Sequence, residues 1–141
     1  TCEWVPQQLN IAAMREACEY FIGTHDYESF AASRRTTSTT IRTVTNVHIR
    51  CQRNRIVIHV RGTGFLYKMV RNMVGSLIEV GRGRQEPIWI KELLQACDRN
   101  LAGATAAAKG LTLYRVHYSE EPFSELHKPS PLRYPRQTPN A

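Results

Sequence analysis

The chain reads as an α+β domain with a largely antiparallel sheet and helices packed on one face. Three observations predict it. Apolar residues recur at helical spacing over residues 11–22, alternate with polar ones at period two over 41–60, and return to helical spacing from 65 onward. The two alternating runs are joined by the short polar stretch Gln52-Arg53-Asn54, which predicts a hairpin. The order helix, strand, strand, helix, helix, strand is that of an α+β sandwich. With 141 residues, 42% of them hydrophobic, the chain can bury one core without disulfide or metal staples.

The first helix starts at Asn10, whose side chain can cap it. It carries Ile11, Met14, Ala17, Cys18, Phe21 and Ile22 on one side and ends at Gly23. His25 to Ala32 reads as a short helical turn leading into the loop Ser33-Arg34-Arg35-Thr36-Thr37-Ser38-Thr39. In the hairpin, Ile41, Thr43, Thr45, Val47, Ile49 and Cys51 alternate with Arg42, Val44, Asn46, His48 and Arg50. Ile56, Ile58 and Val60 alternate with Val57, His59 and Arg61, so one core face and one basic, wetter face are expected. Gly62-Thr63-Gly64 lacks the third glycine of a dinucleotide fingerprint and the Gly-Lys-Ser/Thr of a P-loop, so it is punctuation rather than a nucleotide cradle. Gly81-Arg82-Gly83 closes the following helix. Pro87 opens another that bears Ile90, Leu93, Leu94 and Cys97, and Ala102 to Ala108 extends it helically. Leu111, Leu113 and Val116 open a last strand, and residues 119–141, with five prolines and few core residues, form an extended or disordered tail.

Nineteen Lys and Arg against 12 Asp and Glu give a net charge of +7, which favours a polyanionic partner. Arginine carries most of that charge, and a guanidinium stacks on bases and grips phosphates bidentately, which suits RNA. Cys2, Cys18, Cys51 and Cys97 lie far apart, with no Cys-x-x-Cys pair and no histidines at ligand spacing. Neither a zinc site nor a disulfide framework is indicated, and the cysteines read as reduced, small buried hydrophobes. Nothing resembles a signal peptide and no apolar run approaches the roughly 18 to 20 residues that span a bilayer, so an intracellular protein with no membrane partner is expected. The opening Thr1 to Pro6, without a methionine, reads as the middle of a longer chain.

The stretch Gly64 to Gly81 holds the residue that most needs explaining. At about 100° per residue, Phe65, Leu66, Met69, Val70, Met73, Val74, Leu77 and Ile78 form an apolar arc, and Lys68, Asn72, Gly75 and Glu79 fall opposite. Arg71 lies on the border. There it can lay its stem along the core and offer a permanently charged, five-donor fork to a carboxylate or phosphate, although a snorkelling surface arginine has the same pattern.

This stretch, Phe65-Leu66 followed by Met69-Val70-Arg71-Asn72-Met73-Val74-Gly75 and ending in Glu79-Val80-Gly81, resembles the helix motif of the TruA family of tRNA pseudouridine synthases. His25-Asp26-Tyr27-Glu28-Ser29-Phe30 upstream and Ala104-Thr105-Ala106-Ala107-Ala108-Lys109-Gly110-Leu111-Thr112-Leu113 downstream resemble further segments of that family, in the same order. Together they cover roughly residues 9 to 118. The resemblance implies that residues 1–118 are the carboxy-terminal half of a two-domain synthase fold, in which two such halves build a continuous sheet and a basic cleft holding the site.

The resemblance also implies roles. Arg71 would ion-pair with the catalytic aspartate, and Leu111 would pack against the target base. That aspartate belongs to a Gly-Arg-Thr-Asp-Ala-Gly motif of the amino-terminal half, which is absent from this sequence, as is the family's active-site tyrosine. Asp26 and Asp98, the only aspartates here, read as structural residues that bond local backbone. The chain by itself is therefore expected to be inactive. Isomerising uridine to pseudouridine needs no metal and no redox cofactor, so none is implied. The implied partners are tRNA, the amino-terminal half of the same protein, and a second copy in a homodimer.

For gripping RNA, the candidates are Arg34 and Arg35 in the loop, Arg42 and Arg50 on the hairpin with Arg53 and Arg55 near its turn, and Lys68 on the polar side of the helix. Tyr27 and Tyr67 are candidates for stacking on bases. The alternative reading is a non-catalytic α+β RNA-binding module. The hairpin offers valine, isoleucine, histidine and arginine rather than the exposed aromatic pairs of an RRM platform. A dimerisation domain would explain the apolar arc but not the arginine excess.

Overall fold

The computed structural model describes residues 8–32, 39–53, 55–106 and 110. Apart from Gly110, these belong to one compact unit spanning Val5–Ala106. Helix α1 covers Ile11–Phe21 and starts where expected, Asn10 Oδ1 accepting from the Ala13 N–H at 3.1 Å. Strand β1, Gly23–Asp26, is followed by a 3-10 turn at Glu28–Phe30. Strands β2, Ile41–Gln52, and β3, Arg55–Gly62, form the hairpin. Helix α2 spans Met69–Gly81 and helix α3 spans Trp89–Ala96, and a second 3-10 turn covers Arg99–Leu101.

The sheet has the order β1-β2-β3, with both pairings antiparallel. Its inner face contributes Val44, Val47 and Ile49 to a core shared with Met14, Ala17, Cys18 and Phe21 of α1, Met69, Met73, Leu77 and Val80 of α2, and Ile90 and Leu93 of α3. The helices therefore gather on that one face, as the sequence predicts. Burying a side chain the size of Leu77 in such a core contributes about 2 kcal/mol. Helices α1 and α2 approach closely at Gly81, where a Cβ would stand 2.6 Å from Met14 Sδ. The Asn10 N–H donates to the Gly81 carbonyl at 2.7 Å beside that contact.

Several expectations are corrected. The stretch expected as a helical turn from His25 begins as part of β1, with Thr24 opposite Thr43 and His25 opposite Arg42. Four polar or small residues carry no strand period of their own, so the ladder to β2 makes this strand. In β2 the alternation breaks at a bulge between Val44 and Asn46, and Val44, assigned to the wet face, is buried with Val47 and Ile49. Residues 102–106 do not continue a helix but run irregularly after the 3-10 turn. Cys97 caps α3 at φ 51° and is exposed, as is Cys51, so of the described cysteines only Cys18 behaves as a small buried hydrophobe. The last strand from Leu111 and the tail 119–141 lie outside the described residues.

Candidate active site around Arg71

Helix α2 is set into the fold from both ends. Its entry turn is held by the Met69 N–H donating to the Leu66 carbonyl and by the Ala32 N–H donating to the Tyr67 carbonyl, with Lys68 in the left-handed conformation at φ 62°. Its buried residues are Met69, Asn72, Met73, Gly75, Ser76, Leu77, Val80 and Gly81. Asn72 and Gly75, placed opposite the apolar arc from periodicity, are thus inside, whereas Phe65 is 41% exposed. The cause is the segment 103–106, which crosses α2 on that side.

The crossing is tight because Gly75 has no side chain. A Cβ there would stand 1.7 Å from the Ala104 carbonyl oxygen. Alongside it the Gly103 N–H donates to Ser76 Oγ at 3.2 Å. Two small residues at adjacent positions of α2 let another backbone come within hydrogen-bonding distance.

That approach positions Arg71. The Ala106 N–H donates to the Arg71 carbonyl at 3.1 Å, and Arg71 Nε donates back to the Ala106 carbonyl at 2.8 Å. The side chain is half-buried and held at its root, and among the described residues its two terminal nitrogens meet no carboxylate. A guanidinium anchored through Nε presents the paired N–H edge of its terminal nitrogens, which matches the two oxygens of a carboxylate. A carboxylate brought there would be held in its charged form, since an opposite charge within about 4 to 6 Å lowers a carboxyl pKa.

Asn72, one residue further on, joins the three sequence segments that carry the family resemblance. It is 1% exposed. Its Nδ2 donates to the Phe30 carbonyl at 2.7 Å, and its Oδ1 accepts from Thr105 Oγ1 at 2.6 Å and from Arg99 Nη2 at 3.1 Å. Arg99 also donates to Thr105 Oγ1 at 2.9 Å and to the Gly103 carbonyl at 3.1 Å. Sequence reasoning missed Asn72, Arg99 and Thr105 as a group. The available signal was an asparagine four residues before a serine and three before a glycine on a face otherwise taken as solvated.

The other candidates are scattered. Arg50 is exposed on the outer face of β2, whereas Arg42, on the other side of the bulge, shares the face of Val44 and turns its Nη1 onto the carbonyls of Thr39 and Ile41. The two do not form one basic strip. The outer face instead pairs His48 with His59, their rings stacked at 4.6 Å. Burial first, then the positive charge of Arg50 and Arg61, holds the pKa of His48 below its ordinary value. For His59 the causes are burial, then His48, then the same two arginines. Lys68 is exposed at the mouth of α2 and lies 5.4 Å from the centroid of the exposed Tyr67 ring. Tyr27 cannot stack on a base, being fully buried with its hydroxyl donating to the Phe21 carbonyl. Asp26 accepts from the Glu28 N–H and Thr40 Oγ1, and Asp98 accepts from the Asn100 N–H, local bonds of the kind expected of them. Arg34, Arg35 and Leu111 lie outside the described residues.

The structure is thus an α+β domain with an anchored arginine, beside which the three motif segments meet. A match to the family described as tRNA pseudouridine synthase runs over residues 17–119, and the chain belongs to that family. It is 45% identical over 114 residues to tRNA pseudouridine synthase A 2 of Clostridium perfringens, covering 81% of this chain and 47% of that protein. To tRNA pseudouridine synthase A of Shouchella clausii it is 42% identical over 119 residues, 84% of this chain and 46% of the relative. To the protein of the same name from Francisella tularensis subsp. novicida it is 42% identical over 122 residues, 86% and 47% of the two chains. The chain therefore spans about half the length of the curated relatives it matches. Among the described residues, no helix is long and apolar enough to cross a membrane.

Proposed function

We propose that this chain is the carboxy-terminal half of an intracellular tRNA pseudouridine synthase and lends Arg71 to a catalytic aspartate carried by the other half. The observation that carries the reading is the anchored fork. Arg71 is fixed by Ala106 at Nε, and its terminal edge is unmatched by any carboxylate among the described residues. The relatives' names supply the substrate class, tRNA.

In the reaction the C1′–N1 bond of a uridine breaks and a C1′–C5 bond forms, while the proton on C5 leaves and N1 gains one. The product is an isomer and nothing is consumed. The role of Arg71 is to keep the aspartate ionised and aimed. Leu111, following the strip that Arg71 binds, would give the displaced base a dry surface. Tyr67 and Lys68, at the mouth of the same helix, suit stacking on a base and holding a phosphate, and Arg50 suits a second phosphate contact.

The test is Arg71→Ala in the full-length protein, assayed for pseudouridine formation and for tRNA binding. Turnover is expected to vanish with little change in affinity, and the isolated chain is expected to form no pseudouridine. Substantial turnover by either would overturn the assignment.

A further inference from the structure

We infer that Arg99 and Thr105 are positioning residues for Arg71, acting through the strip 103–106 rather than on the substrate; this rests on the reading of Arg71 above. Among the described residues, one hydrogen bond holds the Arg71 guanidinium. Its Nε bond goes to one backbone carbonyl, that of Ala106, so the aim of the fork is only as fixed as that carbonyl. Residues 102–106 form no helix or strand, so no regular ladder fixes the strip. Beyond the backbone bond from the Ala106 N–H to the Arg71 carbonyl, its order comes from side chains.

Those side chains are Ser76, which accepts from the Gly103 N–H, and the trio Arg99, Thr105 and Asn72. Arg99 Nη1 holds the Gly103 carbonyl, and its Nη2 donates to both Thr105 Oγ1 and Asn72 Oδ1. Thr105 Oγ1 in turn donates to Asn72 Oδ1, and Asn72 is buried in α2 next to Arg71. The loop of contacts therefore closes. It runs from Arg71 to Ala106, to the adjoining Thr105, to Asn72, and back along the helix by one residue. Asn72 is matched at both ends of its amide: Oδ1 accepts from Arg99 Nη2 and Thr105 Oγ1, and Nδ2 donates to the Phe30 carbonyl. A buried amide matched in this way, tied to the half-buried Arg99 and Thr105, favours one geometry of the strip.

Arg99 makes three bonds to neutral oxygens within its own domain, so its part is to brace Arg71 rather than to meet the aspartate or the RNA. Its loss is expected to be felt as a misaimed Arg71, not as weakened tRNA binding.

Thr105→Val in the full-length protein removes the hydroxyl at nearly constant shape, and Thr105→Ser restores it. For Thr105→Val, kcat is expected to fall roughly tenfold with tRNA affinity unchanged, because small misplacements of a catalytic group are costly. The acid limb of the kcat profile is expected to move to higher pH, since a misaimed guanidinium lowers the aspartate's pKa less. Thr105→Ser should recover both. Arg99→Lys, which keeps the charge but cannot reach three acceptors, should resemble Thr105→Val. Wild-type kcat and acid limb in Thr105→Val would overturn the inference, as would a loss of kcat that merely tracks the loss of folded protein with the acid limb unmoved. If Arg71→Ala kills turnover while Thr105→Val leaves it intact, only this inference fails; if Arg71→Ala is active, the parent reading fails.

Discussion

Arg71 and Ala106, thirty-five residues apart in sequence, clamp one another: backbone N–H to carbonyl at 3.1 Å in one direction and Nε to carbonyl at 2.8 Å in the other. The clamp turns a long, flexible side chain into an oriented fork. It uses the one guanidinium nitrogen that a bidentate partner at the terminal edge does not need.

Arg71→Lys tests orientation separately from charge. An ammonium on an unbranched stem cannot bond the Ala106 carbonyl and still present a paired edge. Turnover in the full-length protein is expected to fall by roughly a hundredfold or more, the scale of losing one preorganised electrostatic group. Single-turnover assays at saturating tRNA measure it, and near-native rates would show that charge alone suffices.

Gly75→Ala tests the crossing. The added methyl would meet the Ala104 carbonyl oxygen at 1.7 Å, and the obstruction is backbone on both sides, so the strip 103–106 must move. A destabilisation of about 3 kcal/mol is expected from urea unfolding, together with loss of the Ala106 anchor. A cost below about 1 kcal/mol would mean that the strip yields freely.

Acid should weaken the fold through the outer face of the hairpin. His48 and His59 both have pKa values lowered from the ordinary 6.5, so the unfolded chain takes up protons first as pH falls. The stability is present above 6.5 and is lost as pH drops from there toward the lower folded-state values. Melting temperature should decline between about pH 7.5 and about pH 5.5, and His48→Gln should flatten the decline. An unchanged slope in that variant would assign the acid sensitivity elsewhere.

The cysteines should separate by reactivity. Cys18 is buried and its pKa is raised to about 11, chiefly by that burial and then by Glu19, whereas Cys51 and Cys97 are exposed. Alkylation of the native protein read by peptide mass mapping should mark Cys51 and Cys97 and spare Cys18 until denaturant is added. Early labelling of Cys18 would mean that α1 opens readily.

What lay open in the sequence was whatever a local period or a local cap encodes. The Asn10-capped helix, the hairpin through Gln52-Arg53-Asn54, the Arg71 helix ending at Gly81 and the borderline placing of Arg71 are all of this kind. Each depends on residues within a few positions of one another. The family motifs pointed to the same arginine, because its chemistry is written in a short run.

Tertiary structure alone decided the rest. Strand β1 exists because β2 offers it a ladder. The bulge beyond Val44 turns Arg42 and Arg50 to opposite faces, a change that one extra residue makes and that composition does not register. Asn72 and Gly75 are buried because residues 103–106 return across α2, about thirty positions later along the chain. A helix period states which residues share a face; what covers that face depends on where a distant segment lands.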